Sequence, residues 1–167
     1  HKNPLVSLSF YALSMDKPTP DSFFKLLIQD LEFQPTTKQN IALQMLSKFV
    51  VEGGRDKLFL LKGFAGTGKT TIISTLTKNL WKIRKSGILL APTGRAAKVI
   101  SNYSKKEAFT IHKKIYFPKK SGNGGVQFTL QPNKHKNSLF IVDEASMISD
   151  DGGNSKLFEK GSLLDDL

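Results

Sequence analysis

The sequence predicts an α/β domain of three layers, in which helices cover both faces of a parallel central sheet. Three apolar runs have the length of buried strands, at residues 57–62, 88–91 and 138–142. Segments whose apolar residues recur at helical spacing lie between these runs. Strands that alternate with helices are joined by right-handed crossovers, so we expect the three strands to be parallel.

Two helices are predicted ahead of the first strand. Residues 19–21 supply an N-cap, a first-turn proline and an early acidic residue, which favours a helix that runs to about Leu31. A second helix begins at residues 35–36 and ends at the glycine pair 53–54. We expect its buried face to consist of Ala42, Met45, Leu46, Phe49 and Val50.

A third helix follows a glycine-rich turn, because Ile72, Leu76 and Leu80 recur every four residues. Trp81 comes next, and we interpret it as a packing residue of this helix. Residues 86–87 form a turn into the second strand, residues 92–94 end that strand, and a helix over residues 95–102 follows. A short helix over 108–115 and an exposed hairpin strand over 126–130 precede the third strand.

The glycine-rich turn fits the phosphate-binding pattern GxxxxGK[ST], and it follows a predicted strand and precedes a helix, as the motif requires. Backbone N–H groups of such a turn point at a triphosphate, and the helix N-terminus adds partial positive charge. We expect Lys69 to reach the β- and γ-phosphates and the Thr70 hydroxyl to ligate Mg²⁺. The predicted ATP-binding residues here are Gly63, Ala65, Gly66, Thr67, Gly68, Lys69, Thr70 and Thr71.

An acidic pair, Asp143 and Glu144, ends the third predicted strand. Ligands of open α/β sheets bind beyond the carboxyl ends of the strands, which is where these side chains are expected. Asp143 suits a Mg²⁺-holding carboxylate beside Thr70, and Glu144 suits a general base for an attacking water. Together with Lys69, these two residues predict Mg-NTP hydrolysis.

The charge balance indicates a polyanionic partner. The net charge is +11, and residues 98–136 contain nine lysines against one acidic residue, Glu107. Aromatic residues in this segment, Tyr103, Phe109, Tyr116 and Phe117, could stack on bases, although Phe109 and Phe117 are expected to belong mainly to the core. The chain has no cysteine, no apolar run near 18 residues and no cleavable leader in residues 1–15, which predicts a cytoplasmic protein without a membrane partner.

Read in order, the motifs resemble those of superfamily 1 helicases of the RecD-like and Dda-like branch, which move 5′→3′ on single-stranded DNA. Residues 63–70 look like motif I, residues 91–97 resemble motif Ia, residues 110–112 resemble motif Ib, and residues 143–146 are similar to motif II. Gln39 stands where these proteins carry the Q-motif glutamine that reads the adenine edge. The resemblance implies that single-stranded DNA contacts Thr93, Gly94, Arg95 and His112.

The resemblance begins at about Pro35 and reaches the end of the chain. It implies a helical lead over residues 1–34 and a RecA-like P-loop ATPase domain over residues 35–167. Motif III does not follow motif II, so we expect this domain to be incomplete at its C-terminus. A second RecA-like domain of the same parent chain is then a further partner, and the fragment alone is expected to hydrolyse ATP weakly or not at all.

Two other interpretations stay open. A different P-loop ATPase, such as an AAA+ machine or a STAND-type switch, accounts for residues 63–70 and 143–144 but not for residues 92–95 or Gln39. A nucleotide- and DNA-binding module without turnover is the second alternative. A steady-state ATPase assay with and without single-stranded DNA separates an enzyme from such a module.

Overall fold

A computed structural model describes residues 17–54, 57–120, 126–148, 163 and 166–167 of the chain. Its backbone contacts divide the chain into two compact units, residues 1–61 and 62–167. The prediction for residues 1–15 lies outside the described residues. No helix in the described part has the length and apolar character needed to cross a bilayer.

Two capped helices form the described part of the first unit, and they confirm the predicted pair. Helix α1 covers Pro20–Gln29 and helix α2 covers Thr37–Glu52. Each begins with a reciprocal capping box, in which a threonine hydroxyl accepts from the backbone N–H three residues later. The helices pack together through buried side chains, which are Phe23 and Leu27 on α1 and Leu43, Leu46, Ser47 and Val50 on α2.

The buried face of α2 differs from the predicted one. Met45 is 58% exposed, whereas Leu43 and Ser47 are buried. Positions 43, 46, 47 and 50 follow the helical i, i+3, i+4, i+7 spacing and lie on one stripe. Met45 is two residues from both Leu43 and Ser47, so it points away from that stripe.

The predicted first strand is wrong in this structure. Residues 57–62 form no strand, and Leu58 and Leu60 are 88% and 61% exposed. Only Phe59 has a described aromatic contact, a tilted pairing with Phe49 at 5.4 Å between ring centroids. A strand requires ladder hydrogen bonds, and no described residue pairs with this segment.

The second unit alternates helices and strands. It begins with helix α3 (Lys69–Asn79), a 3₁₀ turn (Leu80–Ile83), strand β1 (Ser86–Ala91) and helix α4 (Gly94–Ser104). There follow β2 (Ala108–Thr110), α5 (Ile111–Ile115), β3 (Tyr116–Lys120), β4 (Val126–Leu130), β5 (Ser138–Val142) and a 3₁₀ turn (Ala145–Met147).

Three parallel strands form the central sheet in the order β2–β1–β5, which confirms the predicted parallel sheet. Strand β1 is buried on both faces, as is usual when a parallel sheet is covered by helices. On one face Ile88 and Leu90 pack with Ile111, and Leu163 joins this cluster. On the other, Gly87 lets Leu80 approach so closely that a Cβ atom would lie 2.8 Å from it.

Three further predictions about this unit need correction. Residues 108–115 are not one helix, because Ala108–Thr110 pairs with β1 as a parallel strand before α5 begins. Ser86 and Gly87 belong to β1 itself, and the turn lies two residues before this strand, at Arg84. Trp81 is 68% exposed and is not a packing residue. The hairpin strand 126–130 is confirmed, and its partner is β3.

Candidate nucleotide and nucleic-acid sites

The glycine-rich turn leaves an open concave loop ahead of α3. Gly66 and Gly68 have φ values of +76° and +85°, in the left-handed region where side chains are strained. Space around Gly66 is empty within 4 Å of a built Cβ, whereas a Cβ on Gly63 would meet the Thr67 hydroxyl at 2.7 Å. Left-handed residues that alternate with right-handed ones turn successive N–H groups inward, which is an arrangement that binds anions.

Lys69 lies folded back over this loop. Its Nζ atom donates hydrogen bonds to the carbonyl oxygens of Gly63 at 2.6 Å and Phe64 at 2.8 Å. Thr67 donates its hydroxyl to the same Phe64 carbonyl at 2.8 Å. The positive charge is therefore already positioned inside the curve of the loop, where the β- and γ-phosphates of a nucleotide are expected.

The first turn of α3 continues the anion site. Gly68 is the N-cap and has no side chain to cap the first backbone N–H groups of the helix. Thr70 is half-buried and Thr71 is exposed, as are Ala65 and Thr67 in the loop. A helix N-terminus that has no side-chain cap, preceded by a concave turn with a lysine, fits a nucleotide phosphate, and the Thr70 hydroxyl is a suitable Mg²⁺ ligand.

Asp143 and Glu144 differ in exposure and backbone geometry. Asp143 is half-buried and its N–H donates to the Leu90 carbonyl at 3.0 Å, which continues the β1–β5 ladder by one residue. Glu144 is exposed and has a φ of 54°, in the left-handed region. Its N–H donates to Asp143 Oδ1 at 3.0 Å, so the backbone turn and the Asp143 carboxylate fix each other.

The register of the sheet brings three of the predicted motifs to one edge. Ala91 pairs with Thr110 across β1 and β2, and Leu90 pairs with Val142 across β1 and β5. The segments that begin at Thr93, Thr110 and Asp143 therefore leave neighbouring parallel strands at their carboxyl ends. Helix α3 packs its far end against Gly87, near the amino end of β1, so its first turn points toward this carboxyl edge.

The predicted DNA-contacting residues lie at the start of two helices along this edge. Thr93 caps α4, since its hydroxyl accepts from the Ala96 N–H at 3.2 Å, and Gly94 and Arg95 form the exposed first turn. Thr110 caps α5 in the same way, accepting from Lys113, and His112 is exposed beside it. The two threonines thus have a capping role that the motif alone did not indicate.

A cavity of about 510 Å³ opens between α5 and the β3–β4 hairpin. His112 and Thr110 line it from the helix, and the hairpin contributes Phe117, Phe128 and Gln131. Phe117 is 38% exposed, so its expected place in the core is wrong. Phe128 and Gln131 were not predicted, because only strand pairing shows which residues of a hairpin face α5.

Gln131 forms hydrogen bonds with the last residue of α5 and with the first residue of β3. Its N–H donates to the Ile115 carbonyl at 2.6 Å and its side-chain Nε2 donates to the Tyr116 carbonyl at 2.7 Å. The Tyr116 hydroxyl donates to the Asp166 carboxylate. Burial raises the pKa of Tyr116 well above its ordinary value, and the hydrogen bond and charge of Asp166 raise it further.

Gln39 lies in the first unit at the start of α2. Its Oε1 accepts from the Thr36 N–H at 2.9 Å, and its own N–H donates to the Thr36 hydroxyl. This capping box gives Gln39 a structural role. The predicted contact of Gln39 with an adenine base remains a prediction.

Comparison with known proteins agrees with this geometry. The family model described as AAA domain matches residues 48–160, which is more than half of the chain and includes the phosphate loop, the carboxyl-edge helices and the acidic pair. No solved structure gave a significant match.

Three curated proteins are similar in sequence. "Uncharacterized protein R530" of Acanthamoeba polyphaga mimivirus is 32% identical over 135 residues, covering 68% of this chain and 27% of that protein. "ATP-dependent DNA helicase dda" of Enterobacteria phage T4 is 38% identical over 90 residues, or 52% and 20% of the two chains. "Uncharacterized protein MJ1519" of Methanocaldococcus jannaschii is 34% identical over 124 residues, or 64% and 10%.

The chain thus spans roughly a tenth to a quarter of the length of these relatives. The family match, the parallel sheet and the glycine-rich loop ahead of α3 agree on a P-loop NTPase type of fold. The chain belongs to the AAA domain family.

Proposed function

We propose that this chain is the ATP-dependent motor domain of a RecD-like helicase that moves on single-stranded DNA. Residues 35–167 would form the first of two RecA-like domains. The observation that carries the proposal is the shared edge of the sheet: the acidic pair, the α4 N-terminus and the α5 N-terminus all follow the carboxyl ends of paired strands. The T4 relative is a DNA helicase by name, which supports the same proposal.

The chemistry assigns a role to each group of the nucleotide site. When bound, Mg-ATP supplies the phosphoryl group for transfer to water. Lys69 would exchange its carbonyl partners for phosphate oxygens, and Thr70 and Asp143 would hold the metal. Glu144 accepts the proton of the attacking water, and its exposed position leaves room for that water.

The DNA track would run along the exposed first turns of α4 and α5. Arg95 donates to a phosphate, and the backbone N–H groups near Gly94 add partial positive charge. The cavity beside His112 has the size of a small-ligand pocket and aromatic walls, so it can receive an unstacked base. These contacts recognise a single strand without reading its sequence.

Binding of Mg-ADP to the Lys69→Ala variant tests the nucleotide site. We expect wild-type chain to bind Mg-ADP measurably by calorimetry and the variant to lose this binding, because Lys69 is the cation placed inside the loop. Lys78→Ala is the matched control, since Lys78 is an exposed lysine at the other end of the same helix. Equal affinity of wild type and Lys69→Ala would contradict the assignment.

Salt-dependent binding of Arg95→Ala tests the DNA track. We expect the variant to bind every single-stranded sequence more weakly and to show a salt slope smaller by about 0.7, the value of one lost phosphate contact. Lys119→Ala, at an exposed position of β3, removes one positive charge outside the track. Equal losses in the two variants would indicate diffuse charge attraction and would remove the functional content of motif Ia.

A further inference from the structure

A second surface of the same unit has the chemistry of a nucleic-acid site. Trp81 is 68% exposed in the 3₁₀ turn after α3, although burying an indole is normally favourable. Lys78 and Lys82 stand three residues before it and one residue after it, and both are exposed. On a helical surface, residues three or four apart are neighbours, so Lys78 lies on the same face as the indole ring and Lys82 neighbours Lys78.

Two further segments carry positive charges near the end of the 3₁₀ turn that contains Trp81. Arg84 and Lys85 follow the 3₁₀ turn, and the loop before β5 contains Lys134 and Lys136, both exposed. Asn137 joins the two segments, because its Nδ2 donates to the Arg84 carbonyl and its own carbonyl accepts from the Ser86 N–H at 3.2 Å. We define the amino-edge surface as Lys78, Trp81, Lys82, Arg84, Lys85, Lys134 and Lys136.

The amino-edge surface carries an excess of positive charge. The acidic residues of the described segments 62–120 and 126–148 are Glu107, Asp143 and Glu144. Asp143 and Glu144 follow the carboxyl end of β5, whereas Glu107 precedes the amino end of β2, next to Lys106, whose Nζ donates to the Thr77 carbonyl at 2.7 Å. Glu107 is thus the one carboxylate of these segments at the same end of the sheet as the six positive charges of the amino-edge surface, which leaves a clear excess of positive charge there.

Arg84 has a backbone conformation that glycine adopts more easily. Its φ of 58° is in the left-handed region, where a helix usually ends with glycine. A non-glycine residue there is disfavoured by roughly a factor of ten in population. An arginine at this position is therefore less favourable for folding than a glycine would be.

We propose that the amino-edge surface is a second binding site for single-stranded nucleic acid, in which Trp81 stacks on a base and the surrounding cations contact phosphates. The helix rise places Trp81 roughly 18 Å along α3 from Lys69, so this site is separate from the nucleotide loop. An isologous contact with a second copy would bring like charges together, which disfavours that occupant. The proposal does not require the chain to be a helicase.

Fluorescence of Trp81 tests the proposal directly, because it is the one tryptophan of the chain. We expect oligothymidylate to quench this emission in a saturable way, with the same midpoint as binding measured by anisotropy of the labelled oligonucleotide. Trp81→Ala should weaken that binding by roughly five- to 150-fold, the range of one base stacked on an aromatic ring. Thermal unfolding followed by circular dichroism should be little changed, since the ring is mostly exposed.

Arg84→Gly supplies a second test. Weaker nucleic-acid binding by this variant cannot be explained by unfolding, because glycine is the preferred residue at this φ. We expect a variant at least as stable as wild type that binds oligothymidylate more weakly, with a salt slope reduced by about 0.7. The control is Lys48→Ala, which removes one exposed charge from α2 in the other unit. A loss no greater than that of the control would overturn the role of Arg84.

The remaining outcomes also decide the proposal. If saturating oligothymidylate leaves the Trp81 emission unchanged, the amino-edge proposal is wrong. If Arg95→Ala weakens oligothymidylate binding in the same experiments, the helicase proposal stays intact. Quenching that persists in Arg95→Ala would support the amino-edge surface even if the motif Ia track fails. Equal quenching by polyglutamate, or by duplex DNA of the same length, would exclude single-stranded nucleic acid as the specific occupant.

Discussion

At the scale of single residues, Glu144 combines a proposed catalytic role with an unfavourable backbone conformation. Its φ of 54° is one that glycine adopts freely and other residues do not. We predict that Glu144→Gly is more stable than Glu144→Ala by about 1 kcal/mol, because both lack the carboxylate but only alanine retains a Cβ in the left-handed region. Urea unfolding of the two variants measures this difference.

The comparison of two variants removes the effect of losing the charge. Equal stability of Glu144→Gly and Glu144→Ala would mean that the turn after Asp143 is not strained. The predicted order would mean that the sequence keeps a glutamate there at the expense of stability, as functional sites often do. Both variants are expected to lose hydrolysis in a complete enzyme.

The residues of the nucleotide loop could be predicted because a fixed pattern of glycines and a lysine determines their geometry. Gly66 and Gly68 have the positive φ values that such a turn requires, and the contact of Lys69 with nucleotide phosphates stays a prediction. Trp81 could not be predicted as exposed, since a tryptophan near the end of an apolar helix stripe is usually buried. Only the path of the chain after α3 shows that its ring points outward.

At the scale of elements, the β3–β4 hairpin is attached to the described C-terminal residues through a tyrosine that resists ionisation. Burial and then the Asp166 carboxylate raise the pKa of Tyr116 above its value in an unfolded chain, which is 10.0. The folded state therefore holds this proton more tightly than the unfolded state. The contribution of the Tyr116 hydroxyl to the free energy of unfolding is complete below pH 10 and is lost as the pH rises above 10.

We predict that wild type loses free energy of unfolding between about pH 9.5 and 11 more steeply than Tyr116→Phe does. Lysines titrate in the same range in both proteins, so the difference between the two curves isolates Tyr116. Tyr103→Phe, at an exposed position of α4, serves as the control and should follow the wild-type curve. Parallel curves for wild type and Tyr116→Phe would contradict the proposed coupling.

Long helices and the strands β1 and β5 could be predicted from apolar spacing, whereas short or unpaired segments could not. Strand β2 has three residues, too few for any periodicity, and exists because Leu89, Leu90 and Ala91 offer it a ladder. Residues 57–62 have the opposite character, since their apolar pattern suits a strand but no described neighbour pairs with them. Strand formation depends on a partner that local sequence does not show.

At the scale of the whole molecule, the chain is expected to bind ATP without turning it over. Its described residues contain two arginines, Arg84 at the amino edge and Arg95 at the start of α4. Neither lies in the phosphate loop, and the helicase proposal assigns the transition-state arginine to a second domain. Such an arginine is worth about 10³–10⁵ in rate.

We therefore predict steady-state ATP hydrolysis no faster than that of Lys69→Ala, with or without single-stranded DNA. A coupled phosphate-release assay on the 167-residue chain measures this. DNA-stimulated turnover clearly above the Lys69→Ala baseline would contradict the need for a second domain. Turnover that appears only in a protein that carries a second RecA-like domain would support it.

The hydrogen bonds from Lys69 to the carbonyls of Gly63 and Phe64 affect how a nucleotide leaves as well as how it arrives. A departing phosphate does not leave a bare ammonium group, because the lysine has a resting place a short side-chain rotation away. Emptying the site therefore costs less free energy than it would with an unsupported cation. An ATPase must release its product in every cycle, and in this loop the lysine already has hydrogen-bond partners when the phosphates have left.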